Sequence, residues 1–158
     1  MNSSLTALQA CLAKETRLMS EFLEILQCEA KVLEEGASEA GLLETTASKN
    51  TISDQLLDIA GERNVLLKTL GFEQDGSGLA AAAEQYPDLA PVRTTLLEAT
   101  AQARELNEAN GRVIEVFLDH NQRTLETLRR LTGQGDIYDA SGRTRPGAKG
   151  SSRNIKAG

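Results

Sequence analysis

Apolar residues recur alternately three and four positions apart over three long stretches of this chain, a period that fits an α-helix and not a strand. The first stripe runs through Leu5, Leu8, Leu12, Met19, Phe22, Leu26 and Leu33, with Glu15 and Glu29 occupying two of its positions. Leu18, Ile25 and Val32 broaden it into the face of a globular bundle, wider than a coiled-coil seam. Ser4 is the expected N-cap of this helix and Gly36 its stop. A second segment, from Ser38 to Leu70, shows Leu42, Ile52, Leu56, Ile59, Leu66 and Leu70 on one face, with Gly71 as its stop. Its polar first half, Glu44 to Asn50, predicts a late start or a frayed end, and Gly61 inside it costs about 1 kcal/mol against Ala.

The third segment is the longest. Pro91 suits a first helical turn with Asp88 or Ala90 at the cap. Val92, Leu96, Ala99, Ala103, Leu106, Asn110, Val113, Phe117, His120 and Thr124 follow at spacings of four and three, and Leu128 and Leu131 continue the face to Gly133. Asn110-Gly111 is the point where this helix is expected to bend or break. Between Gly71 and Pro91 the pattern lapses; Asp75-Gly76-Ser77-Gly78 reads as a turn, with one short helix over Leu79 to Glu84. Composition supports the helical reading: 23 Leu stand against 5 Val and 6 Ile, aromatics are 3% and Trp is absent. Those proportions exclude a β-sandwich or β-barrel. The expected fold is all-α, an elongated antiparallel three-helix bundle or helical hairpin with a long C-terminal helix.

Past Thr132 the composition changes. Residues 133–158 hold six Gly and no Leu, too little apolar surface to offset ordering entropy, so residues 1–132 are expected to form the helical domain and 133–158 a flexible tail. The tail has five basic residues against Asp136 and Asp139, a net of +3; with −6 overall, the other 132 residues carry −9. An acidic body lacks the cations that neutralise phosphates, so no nucleic-acid partner is expected. No stretch reaches the roughly 20 apolar residues that cross a bilayer, so no stable membrane insertion is expected. The start, MNSSLTALQACLAKETR, lacks a basic stretch followed by an apolar core, which points to a cytoplasmic protein without a signal peptide. Cys11 and Cys28 lie on one helix about 25 Å apart, too far for a mutual disulfide, and read as buried or half-buried small hydrophobes.

Catalysis needs converging groups, and the chain offers few. His120 is its one histidine and lies on an apolar helix face, where it reads as a polar layer, as does Asn110. The Glu-x-x-His pair of di-iron bundles is missing, since Phe117 stands three before His120. Gly142-x-x-x-x-Gly147 is followed by Ala148-Lys149 and has no strand before it, so it is no phosphate loop. Neither an enzyme, a metal site nor a cofactor is expected. What remains is binding. Val113, Ile114, Phe117, Leu118, Leu125, Leu128 and Leu131 supply more apolar surface than one bundle seam consumes, as a helix-recognition site does. The alternative is a homodimeric coiled-coil adaptor or scaffold, a homo-oligomer closed by the third helix.

The run Asn121-x-x-x-Leu125-x-x-Leu128-x-x-Leu131, followed by Ile137-Tyr138-Asp139-Ala140-Ser141-Gly142-Arg143-Thr144, resembles the C-terminal end of the FlgN family. Those are cytosolic chaperones of flagellar type III export. The small acidic Leu-rich body and Gly-rich tail match as well. The resemblance implies an export chaperone that binds the C-terminal segment of flagellar hook-associated proteins, prevents their premature assembly and delivers them to a component of the export gate. It places substrate binding on Val113, Phe117, Leu125, Leu128 and Leu131. It assigns export-gate docking to Ile137, Tyr138 and Gly142.

Overall fold

The computed structural model describes residues 2–132; among these are four α-helices, a short 3-10 turn and no strand. Helix α1 spans Ser3–Glu34, α2 Glu39–Thr69, α3 Gly76–Gln85 and α4 Ala90–Thr132, with the 3-10 turn Pro87–Leu89 directly before α4. The expectation of an all-α fold with a long last helix holds. By internal contacts the chain divides after Arg112, into a packed unit up to that residue and the remainder of α4 from Val113.

The helix ends are set by local chemistry. Asn2, not Ser4, caps α1: its side-chain oxygen accepts the Ser4 N–H at 2.8 Å, freeing Ser4 to enter the first turn. Ser38 caps α2 by accepting the Gly41 N–H, and this anchored start carries the helix through the polar run Glu44–Asn50 without delay. Thr45, inside that run, is buried and returns its hydroxyl to the Gly41 carbonyl at 3.1 Å. Both α1 and α2 end in the same way. Gly36 and Gly71 adopt φ of 105° and 90°, and the next N–H reaches back to the helix: Ala37 to the Val32 carbonyl, Phe72 to that of Leu67, both 2.9 Å.

Two glutamates fix how α1 and α2 run. Glu15 pairs with Arg63, and Glu29 with Lys49, so residues late in α1 meet residues early in α2 and the helices are antiparallel. Between these pairs Cys11 and Leu18 pack with Ile52 and Ile59, supported by Phe22, Ile25, Leu56 and Leu66. A second cluster gathers Leu5, Leu8 and Leu12 of α1, Leu67 of α2, Leu79, Ala82 and Ala83 of α3, Leu89 and Leu96 of α4. The connection from 71 to 91 is therefore more than a loop with one short helix. Asp75 caps α3 by accepting the Gly78 N–H, and the resulting three turns drive Leu79, Ala82 and Ala83 into the core. Tyr86 closes this corner with an edge-on contact to Phe72, ring centroids 6.4 Å apart.

Helix α4 runs parallel to α1 within the packed unit, with Leu96, Ala103 and Asn110 as its buried residues. It does not break at Asn110-Gly111. Asn110 donates to the Leu26 carbonyl at 2.9 Å and to Glu29 Oε1 at 3.0 Å, while Lys49 donates to Asn107 Oδ1 at 2.9 Å. One buried carboxylate thus joins α1, α2 and α4, and the helical backbone at Asn110 is held in place by side-chain bonds on its inner face.

A candidate protein-binding face

Residues 113–132 of α4 contain no buried side chain; Ile114, Phe117 and Arg129 are half-buried and the rest are exposed. Successive residues rotate by about 100° around a helix, so Val113, Ile114, Phe117, Leu118, Leu125, Leu128 and Leu131 share one arc of about 140°. Glu115, Asp119, Arg123, Glu126 and Arg130 lie on the opposite side. Asp119 accepts from Arg123 at 3.0 Å one turn away, an exposed pair that adds a few tenths of a kcal/mol to the helix. Val116 falls among the charges, outside the stripe.

All five residues expected to bind substrate protein lie on that apolar arc. Val113 is 48% exposed, Leu125 53%, Leu128 52% and Leu131 78%. His120 and Thr124 sit at one edge of the same arc, both exposed, and the Thr124 hydroxyl donates to the His120 carbonyl at 3.0 Å. The polar layer expected of His120 is therefore a solvated edge, whereas that expected of Asn110 is a buried hydrogen-bonded layer. Ile137, Tyr138 and Gly142, together with the expected flexible tail, lie outside the described residues.

The chemistry of the packed unit is structural. Burial first, then the neighbouring Glu15 and Glu62 carboxylates, push the Cys11 thiol up to about 11, and its sulfur lies 3.6 Å from the Ile59 carbonyl. Cys28 is exposed, against the expectation for it: it lies outside the stripe that faces α2. The Ser77 hydroxyl and the Gly78 N–H hold the Asp75 carboxyl below its ordinary range, as befits a cap. Among the described residues no cluster of His, Cys, Asp and Glu is arranged to hold a metal ion, and no helix is long and apolar enough to cross a membrane.

One surface escaped the sequence reading. An open cleft of about 630 Å³ runs between Ala7, Ala10 and Lys14 on α1 and Gly61, Glu62 and Val65 on α2. Leu57 and Val65 beside it are 72% and 61% exposed. Their positions in α2 fall outside the expected stripe, and the only signal for the cleft was the unexplained Gly61.

No curated protein and no solved structure matches this chain. The family model described as FlgN protein matches residues 1–146, which takes in the packed helices, the apolar end of α4 and the Tyr138 segment. The chain belongs to the FlgN family, whose members are flagellar export chaperones.

Proposed function

We propose that this protein works in the cytoplasm, where it binds the C-terminal segment of flagellar hook-associated proteins on Val113, Phe117, Leu125, Leu128 and Leu131, keeps them from assembling early and hands them to the export gate. The observation that carries the reading is the apolar arc of residues 113–131, formed as helix yet left in water. An amphipathic cargo segment covers such an arc by helix-in-groove recognition. Each leucine buried from an exposed position contributes about 1.5–3 kcal/mol before ordering costs, and the cargo bears those costs as it folds. Affinity stays moderate, as release at the gate requires. Residues 133–158 act as a separate tail in this proposal, with Ile137 and Tyr138 as its apolar contact for the gate and Gly142 as its turn.

Hydrogen exchange of the full chain, alone and mixed with a C-terminal segment of a hook-associated protein, tests this. Slower exchange confined to about residues 113–131 on mixing is the expected result. If those amides are already protected in the free chain and mixing changes nothing, the arc is covered by a second copy and the adaptor reading replaces the chaperone one.

A further inference from the structure

Gly61 stands in the interior of α2, exposed, and its own fold has no use for it. A Cβ placed there meets nothing within 4 Å, and the backbone is ordinary helix. The chain forgoes about 1 kcal/mol of helix stability relative to Ala at this site. A bare backbone on a helix surface serves the close approach of something else. One turn to either side on the same ridge stand Leu57 and Val65, two of the most exposed large apolar residues of the packed unit. Across the cleft α1 also presents small residues, Ala7 and Ala10.

We infer that this cleft is the interface between two copies of the chain, paired about a two-fold axis parallel to the helices so that α1 of each copy lies on α2 of the other. Charge selects that arrangement. Lys14 and Glu62 each immediately precede a member of the Glu15–Arg63 ion pair, so they stand level on opposite walls of the cleft. With α1 over the partner's α2, each Lys14 meets the other copy's Glu62, and the contact is made twice, as isologous symmetry requires. The alternative two-fold, with α1 over α1, sets Lys14 against Lys14 and Glu62 against Glu62. The shapes agree with the charges. Val65 of one copy enters the shallow between Ala7 and Ala10 of the other, and the aliphatic stem of Lys14 crosses the bare backbone of Gly61 on its way to Glu62. The surface uses none of residues 113–131, so the pairing stands or falls independently of cargo binding.

Molecular mass of the full-length chain, followed by light scattering or sedimentation over a range of concentrations, tests the inference. A dimer is expected. Gly61→Leu, which grows into open space in the single chain and so leaves the fold intact, is expected to raise the dimer dissociation constant by about tenfold or more. Lys14→Glu and Glu62→Lys are each expected to weaken the dimer, and the two together to restore it. A chain that is monomeric throughout overturns the inference, as does a dimer indifferent to Gly61→Leu. So does a dimer lost on Leu128→Glu instead, which would place the contact on α4.

Discussion

At the scale of single residues, Cys11 and Cys28 separate two kinds of cysteine on one helix. Cys11 faces Ile59 and is buried, while Cys28 faces water. With its pKa raised to about 11 from an ordinary 9.0, the Cys11 thiol stays neutral where an unfolded one would ionise. Its contribution to stability is fully present below about pH 9 and is lost as pH rises through 11. Iodoacetamide at pH 8 is expected to modify Cys28 and leave Cys11 unmodified until denaturant is added, as peptide mapping will read. Equal labelling of both in the native chain would mean that α1 and α2 separate readily at that end. The sequence placed both cysteines on the first helix but treated their exposure alike. Cys28 sits outside the three-and-four stripe, and that offset was the legible sign of its exposure.

At the scale of the elements, the Glu29 layer decides how three helices meet. Its carboxylate is 1% exposed, whereas the Lys49 side chain keeps 24% of its surface and can turn to water. The partners are therefore unequal. Lys49→Ala leaves a buried carboxylate with Asn110 as its remaining donor and is expected to cost about 3 kcal/mol. Glu29→Gln keeps an acceptor for Asn110 and releases Lys49 to solvent, so about 1 kcal/mol is expected. Urea unfolding of both variants measures the order, and the reverse order would show that Lys49 carries the burial cost. Periodicity made α1, α2 and α4 legible because each commits a long stripe to one face. It missed α3 in part, since Ala80 to Ala83 show no contrast between faces and only the Asp75 cap reveals that a full helix begins there. Leu67 was missed for a related reason: α2 turns different faces to α1 and to the corner built by α3, and a single stripe describes only one of them.

At the scale of the whole molecule, packing and recognition fall on different residues, and their separation can be measured. Leu128→Glu combined with Leu131→Glu changes only exposed positions, so the unfolding midpoint is expected to shift by no more than about 0.5 kcal/mol in free energy. Calorimetric titration with the cargo segment is expected to show binding lost. Tyr138→Ala is expected to do the opposite, retaining the cargo segment in vitro while lowering secretion of hook-associated proteins from cells. A Tyr138 variant that binds cargo poorly would move that residue from gate docking to substrate capture. The apolar arc of residues 113–131 was legible because its leucines continue the stripe of α4. What the stripe could not say is where packing stops. That limit is set by Asn110, the last buried residue of the helix, whose bonds to Leu26 and Glu29 depend on partners far away in the chain.

The two ion pairs between α1 and α2 have a bearing on synthesis. Glu15 and Glu29 are 14 residues apart, and so are Lys49 and Arg63, with every acid on the first helix and every base on the second. Helix α1 leaves the ribosome whole before α2 exists, and on a crowded polysome the nearest apolar stripe belongs to the α1 of a neighbouring nascent chain. Leucine against leucine would permit that union. The two carboxylates oppose it, because they would enter an apolar seam facing their own kind with no cation in reach. Only α2 brings Lys49 and Arg63 at the matching interval, so the first helix waits, unmated, for the second half of its own message.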